Sequence, residues 1–351
     1  FVFMELLSVS SYALVAVGRE RGAALAALSY LLPGAVSSIL VLFSVGLIFA
    51  LTGSLDMGDA GARLPEDATG AVALALAAFS VGFMVKAALF PLHFWLPDAH
   101  ARAPGPVSAL LSALVVKIGI VGLVRVQLVF GGSARPGLDV LLGLLGVTAI
   151  LAGGVAALVQ RELKRMLAYS TVSNIGYIAL GIALNGTSAI SGGIAHVFGH
   201  GLTKAGVFLA AAALVERTGL HEIEELRGLG HRMPWAATAL SAGMIALTGV
   251  PPTAAFVGKW QIALGAIEAG WPLVVPVVLA GALLAQAYGI RVINALFFRA
   301  PTRARVLIAT EAPVYTLVPL VVLTGLALSG GLAGAGVIGF LAPFAEVWVE
   351  R

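Results

Sequence analysis

Long apolar runs separated by short polar breaks set the pattern of this chain, and nowhere do apolar and polar residues alternate as they would on a strand. A membrane-crossing helix needs roughly 20 predominantly apolar residues. Reading the runs between charged or Gly/Pro-rich breaks predicts ten spans: 1–17, 33–53, 69–96, 105–130, 138–159, 167–185, 188–215, 234–266, 271–298 and 313–341. The stretch 22–32 is also apolar, but Pro33 and its short length predict a turn near the membrane interface. The expected fold class is an all-α, polytopic transmembrane bundle.

The loops carry a directional signal. One alternate set holds Arg19, Arg21, Arg102, Arg161, Lys164, Arg165, Arg217, Arg227, Arg232, Arg299, Arg303 and Arg305; the other holds Arg63, Arg135 and Arg351. Twelve basic residues against three place the first set in the cytoplasm, since short cytoplasmic loops are enriched in Lys and Arg.

Composition agrees. Of 351 residues, 60% are hydrophobic and only 11% charged, with a mean hydropathy of +1.01, whereas a soluble domain carries about 25% charged residues. Soluble enzymes, nucleic-acid binders and disordered proteins are excluded. The 43 glycines suit closely packed membrane helices. With no cysteine, the chain offers neither a disulfide nor a thiolate site for zinc or an iron–sulfur cluster. It opens on Phe1 within a span, with no charged region ahead of it and no cleavage site, so it is expected to start inside a longer protein.

The basic residues inside the spans are sorted by type. They are Lys86, Lys117, Arg125, Lys204, Lys259 and Arg291: four of the five lysines but only two of the sixteen arginines. Glu5 is the one acid clearly within a span. A buried cation is costly and marks a pathway or a wet cavity. Lysine can lose its proton in a desolvated site, whereas arginine keeps its own. The pattern therefore points to proton chemistry. Snorkelling to an interface is the competing explanation; it suits Arg125 and Arg291 near span ends, and suits Lys86 and Lys259 poorly.

Two spans are interrupted close to their lysines. Pro91 follows Lys86, and Pro251-Pro252 precedes Lys259 by seven residues. Broken helices at membrane depth free carbonyls and pair across inverted repeats. These are the third and eighth spans, which run in opposite directions as such a repeat requires; simple proline kinks are the alternative. His196, His200 and Lys204 fall at i, i+4 and i+8 and form one helical stripe, a candidate relay. Val197 stands where a zinc protease would carry Glu, and no third metal ligand is evident, so no metal is expected. Glu5 beside a lysine would make a charge switch, unless hydroxyls such as that of Ser8 satisfy it. The segment 93–104 is read as a cytoplasmic loop and holds His93, Asp98 and His100, candidates for proton uptake from the cytoplasm or simply an interfacial anchor. Gly131-Gly132 and Gly330-Gly331 are isolated pairs and form no phosphate loop.

The segments ELLSVSSYALVA, KAALFPLHFWLPDAHARAPGPVSALLSALVVKIGIVGLVR, ELKRMLAYSTVSNIGYIALG, HVFGHGLTKAGVFL, LRGLGHRMPW and GVPPTAAFVGKW resemble the antiporter-like membrane subunits. That family comprises the large proton-pumping subunits of complex I, the D- and A-type subunits of Mrp cation/proton antiporters, and their equivalents in membrane-bound hydrogenases. The resemblance runs nearly end to end. It implies about fourteen helices built as inverted five-helix repeats, each with one broken helix, as in, so that four N-terminal helices would be missing. Residues 1–130 would be the rest of the first repeat, 138–298 the second and 299–351 a C-terminal span, all in a single membrane domain.

By the same resemblance Glu5 is the acid of the fifth helix, and Lys86 the lysine of the broken seventh. Lys117 is then the basic group of the eighth, and His196, His200 and Lys204 the central polar stripe. Lys259 is the terminal group of the broken twelfth helix. An input half-channel, a lateral relay and an output half-channel, gated by the Glu5–Lys86 pair, are the implied mechanism. The chain ends at Arg351 soon after its tenth span, so the long lateral helix of the distal complex I subunit is not expected. Mrp-type, complex I and hydrogenase subfamilies all stay open.

The sequence thus predicts a proton-translocating subunit of a larger assembly, with sodium open as a second ion, in a bacterial or archaeal cell membrane. Its partners would be other membrane subunits, and it would carry no cofactor or redox site of its own. The rivals are a stand-alone secondary transporter of a small solute, a membrane enzyme with a metal on His196 and His200, and a structural scaffold.

Overall fold

The computed structural model describes residues 1–18, 22–64, 69–130 and 135–349. Arg19, Arg21, Gly131, Gly132 and Arg351 lie outside the described residues. The chain is helical almost throughout; apart from a single β-bridge between Glu162 and Glu222, no strand pairing occurs among the described residues.

The helices are α1 (Val2–Ala16), α2 (Ala23–Thr52), α3 (Met57–Ala62), α4 (Thr69–Lys86) and α5 (Leu96–Arg102). Next come α6 (Gly105–Leu110) and α7 (Val116–Phe130), fused by a π-turn at Leu111–Val115. They are followed by α8 (Arg135–Val159), α9 (Leu163–Ala183), α10 (Thr187–Thr218), α11 (Pro234–Thr248) and α12 (Ala254–Glu268). The last are α13 (Val274–Ile293), the single turn α14 (Ala304–Leu307), α15 (Val314–Ser329) and α16 (Gly334–Val349). Among the described residues, seven continuous helical stretches are long and apolar enough to cross a membrane, with Val2–Ala16 and Gly70–Lys86 as shorter apolar helices. This is an integral membrane protein.

Burial does not follow hydropathy. The least apolar of the seven stretches, α9, is 89% buried inside the protein, whereas the strongly apolar α2 is only 28% buried. Lipid solvates apolar side chains as well as a protein core does, so small and polar residues line the helix contacts instead. The long α10 is the hub and packs against α6, α9, α11, α12, α15 and α16. A second group, α1, α2, α4 and α7, shares its own core around Tyr30, Phe79, Phe83 and Leu123.

Two boundaries differ from the sequence reading, and two expected breaks are present. The predicted turn at 22–32 is helical: α2 runs unbroken from Ala23 with Pro33 inside it. The proline forfeits one backbone bond, and unwinding ten apolar residues in lipid would leave many more unpaired. The interruptions expected beside Lys86 and Lys259 are present: the predicted spans 69–96 and 234–266 are each divided, at residues 87–95 and 249–253. The last span is longer than 313–341; a 3₁₀ turn at Gly330–Ala333 splits it into α15 and α16. That turn has a job: Gly331 N–H donates to Pro252 O at 2.9 Å and so caps the α11–α12 break.

The arginine-rich loops meet at one end. Leu163 N–H donates to His221 O and Ile223 N–H to Arg161 O, both at 2.9 Å. Arg303 binds Glu225 at 2.7 Å, Arg102 lies 3.9 Å from Glu162, and Arg217 bonds to Thr310. Among the described residues, these loops thus gather on one basic end, as the alternation of the spans requires.

Candidate functional site

The ionisable groups predicted from sequence gather in two clusters. The first is built on α1, α2 and α4. Lys86, on the last turn of α4 before the break, points its ammonium at Glu5 Oε1 (3.0 Å), Ser8 Oγ (2.9 Å) and Ser38 Oγ (3.2 Å). Ser38 also donates to Glu5 Oε1 at 2.6 Å. The three side chains hold one carboxylate and one ammonium in fixed geometry. The Lys86 side chain is only 8% exposed and that of Glu5 25%, so the pair is well shielded from solvent and its attraction is strong.

The second cluster runs through α9. Lys117 bonds the Ser112 carbonyl, exposed where the π-turn disturbs the regular helix pattern. Ser112 Oγ lies 2.8 Å from Thr171 Oγ1, and Thr171 donates to Leu167 O at 3.1 Å. That same carbonyl accepts from Lys204 Nζ at 2.7 Å, and Lys204 also bonds Ser170. Asn174 Nδ2 donates to Ser170 O (2.8 Å), and its Oδ1 lies 3.0 Å from His196 Nε2. The His196 and His200 rings stack 5.9 Å apart. Tyr177, one turn beyond Asn174, lies 5.5 Å from the His196 ring. On its other side stands Lys259, whose ammonium is 4.5 Å from the Tyr177 ring centroid.

Lys259 ends the file on the second broken helix. Its ammonium donates to Leu247 O at 2.8 Å and Thr248 O at 3.3 Å. Those carbonyls are the unpaired C-terminal groups of α11, where the negative end of the helix dipole lies. Close approach of α12 to α10 rests on Gly258: a Cβ there would lie 2.6 Å from His196 Cβ. Lys117, Lys204, Lys259, His196 and His200 are all at least 96% buried. Among the described residues, the three lysines face carbonyls, hydroxyls and rings and form no ion pair, so Lys86 differs from them in having a carboxylate.

With the geometry in view, comparison with known proteins places the chain. Residues 1–285 match the family described as NADH:quinone oxidoreductase/Mrp antiporter, TM. The chain belongs to this family. It is 36% identical to NADH-quinone oxidoreductase subunit N of Desulforudis audaxviator over 99% of its length, covering 72% of that protein. A subunit of the Mrp complex from a Dietzia species superposes with a TM-score of 0.90 at 26% identity, covering 99% of this chain and 73% of that one. A subunit of the membrane-bound sulfane sulfur reductase, an archaeal respiratory membrane complex, gives 0.89 at 32% identity, covering 99% and 71%. The chain is therefore an antiporter-like membrane subunit, and its relatives work within multi-subunit assemblies.

The other sequence-predicted residues of this family member are placed as follows. The segment 93–104, read as a loop, is largely the packed helix α5 lying against α9 and α2. Pro at its first turn suits a helix start, and burial of Trp95, Leu96 and Ala99 anchors it. His100 is consequently fully buried, its ring stacked on Phe208 at 4.5 Å; Lys204 Nζ lies 5.5 Å from that same Phe208 ring. His93 is half-buried between Phe90 and Tyr169. Asp98 is half-exposed and paired with Arg165. Arg125 is exposed, and Arg291 bonds the carbonyls of Leu158 (2.5 Å) and Gln160, a structural clamp at a span end.

Sequence reasoning missed the members on α9. It placed a relay along α10, through His196, His200 and Lys204, but Lys204 turns to α9 and no hydrogen bond joins it to His200. Ser170, Asn174 and Tyr177 recur at i, i+4 and i+7, and that spacing was the available signal.

Proposed function

We propose that the chain is the proton-conducting subunit of a multi-subunit complex in a bacterial or archaeal cell membrane, one driven either by a redox reaction in partner subunits or by an ion gradient. The observation that carries this reading is the file of exchangeable groups spanning the two broken helices. Glu5 and Lys86 stand at one end and Lys259 at the other; between them Ser112, Thr171, Ser170 and Asn174 link Lys117, Lys204 and His196 by hydrogen bonds, His200 stacks on His196, and Lys259 meets the ring of Tyr177.

Each residue type suits the task. Lysine amines and imidazoles can take up and release a proton, and neighbouring hydroxyls and the Asn174 amide orient them. A file of ammonium groups repels a sodium ion, which favours the proton as the conducted species along it. The Glu5–Lys86 pair acts as the gate. While the carboxylate stays within 3.0 Å, it holds a proton on Lys86; separating the two lets that proton move toward Lys117. His93, Asp98 and His100 lie toward the basic end and serve uptake, with buried His100 handing on to Lys204 beside Phe208. The two interrupted helices belong to inverted repeats, 1–130 and 138–298.

The test is proton flux in membrane vesicles carrying the native assembly with Glu5→Ala or Lys86→Ala. Flux should be lost while the subunits still co-purify. Wild-type flux in both variants would refute the relay.

A further inference from the structure

The facing sides of α1 and α2 carry a polar ladder of which the relay uses only the upper rungs. Ser8 Oγ accepts from Lys86 and donates to Met4 O at 2.9 Å. One turn nearer the basic end, the Tyr12 hydroxyl lies over Gly34 of α2. A Cβ at Gly34 would sit 1.9 Å from that oxygen, so glycine alone makes room for it. The Tyr12 ring meets Tyr30 edge-on at 4.5 Å. Tyr30 OH lies 2.9 Å from Ser11 Oγ, which donates to Ser8 O at 2.7 Å. Tyr30 stacks on Trp95 at 4.1 Å, and Trp95 Nε1 is fixed on Val85 O at 2.9 Å. The ladder is thus tied to the α4 break through the residue next to Lys86.

Between these groups lies a cavity of about 20 Å³, lined by Ser8, Tyr12, Tyr30, Gly34, Lys86 and Trp95 among others. A single water needs about 10–15 Å³ and two to four polar partners; the cavity offers the room, and Ser8 Oγ, the Tyr12 hydroxyl and, once Lys86 has given up its proton, the lone pair of its amine offer the partners. We propose that this cavity is a water-binding site and that Tyr12 exchanges protons with Lys86 through the bound water, forming a branch from Lys86 toward the basic end. The inference deepens the relay reading and rests on it.

The step conserves atoms and charge and involves no redox change. Once Lys86 has passed its proton on, its amine accepts one from the water: an N–H bond forms as a water O–H bond breaks. The Tyr12 hydroxyl proton restores the water and leaves a tyrosinate on Tyr12, which a proton arriving from the basic end neutralises. Val15 lies one further turn along α1. Beyond it, Val17 and Gly18 line an open pocket of about 550 Å³ together with Arg102, Lys164 and Glu216. A single apolar turn therefore separates the ladder from a pocket at the basic end.

Tyr12→Phe deletes the hydroxyl and keeps the ring contact with Tyr30. In vesicles carrying the native assembly, flux should fall about tenfold, in the manner of a lost proton-transfer group, and the H₂O/D₂O rate ratio should rise, while subunit composition is unchanged. Lys86→Ala is measured alongside. Wild-type flux in Tyr12→Phe with Lys86→Ala inactive overturns the branch alone; wild-type flux in Lys86→Ala overturns the relay beneath it. Should Tyr12→Phe fail to assemble, a cryo-EM map of the wild-type complex that resolves buried waters decides. Density between Ser8 Oγ, Tyr12 OH and Lys86 Nζ supports the site, and an empty cavity overturns it.

Discussion

Lys259 and Tyr177 meet face to face: the ammonium lies 4.5 Å from the ring centroid, while the Tyr177 hydroxyl is spent on Val278 O at 2.7 Å. The ring therefore offers the lysine its π face rather than its oxygen, and the carbonyls of Leu247 and Thr248 complete the shell. A desolvated cation–π contact contributes about 2 kcal/mol, which helps a buried ammonium reside here without a carboxylate. Lys259→Arg keeps the charge and removes the ability to give it up. The assembly should form normally and its flux should fall at least about tenfold, a barrier increase of about 1.4 kcal/mol. Vesicle acidification measured beside subunit stoichiometry checks this; unimpaired flux would make Lys259 a fixed charge only.

Asn174 joins the hydroxyl part of the file to the imidazoles through Ser170 O and His196 Nε2. Asn174→Leu removes the link and leaves His196 Nε2 buried without it, at a cost of about 1–3 kcal/mol. The expected outcome is a lower unfolding midpoint in detergent together with reduced flux. Asn174→Gln, with the same amide on a longer stem, should recover stability better than flux.

How far could these residues be read in advance? The broken helices were legible because proline writes a break into the sequence directly, at Pro91 and at Pro251-Pro252. The buried lysines were legible because charge in an apolar run is conspicuous. Pro33 shows the limit of the first rule: inside α2 the surrounding bilayer penalises unwinding more than it penalises one lost bond. Asn174 and Ser170 show the limit of the second, since neutral polar residues are common at membrane helix contacts and do not announce which neighbour they serve. Lys204 was found by type and stripe, but its hydrogen-bond partners Leu167 and Ser170 were not; its direction depends on how α9 lies against α10, which a periodicity cannot supply. Placing His100 on a loop failed for a similar reason, because α5 is too short to give a periodic signal.

His100 and Phe208 provide a separation of packing from chemistry. Their stack at 4.5 Å would be reproduced by His100→Phe, which keeps a flat ring and loses both nitrogens. Unfolding temperature and assembly should change little, and flux should fall several-fold if His100 hands protons toward Lys204. Asp98→Asn provides the contrast. Its pair with Arg165 is roughly 40% exposed on both sides, a setting in which ion pairs contribute about 0–1 kcal/mol, so stability should barely move. A loss of flux in Asp98→Asn would then report uptake at the surface.

Gly258 sets the distance between α12 and α10 and hence between Lys259 and His196. In Gly258→Ala the new methyl would press on His196 Cβ, Cα and N, all within 2.6–2.8 Å, and backbone atoms cannot swing aside. Overpacking of this kind costs about 1–3 kcal/mol, so the unfolding midpoint of the detergent-solubilised assembly should drop. The helices must also part, moving Lys259 away from the imidazole stack and lengthening the path between them. Flux should therefore fall further than the loss of folded protein explains. Gly270→Ala is a suitable control, since no atom lies within 4 Å of an added Cβ there: its strain comes only from a positive φ of 75°, at a site away from the file. A midpoint shift in Gly270→Ala with unchanged flux per folded complex, against a flux loss in Gly258→Ala, would tie conduction to the α10–α12 spacing. Equal flux per folded complex in both variants would separate that spacing from conduction.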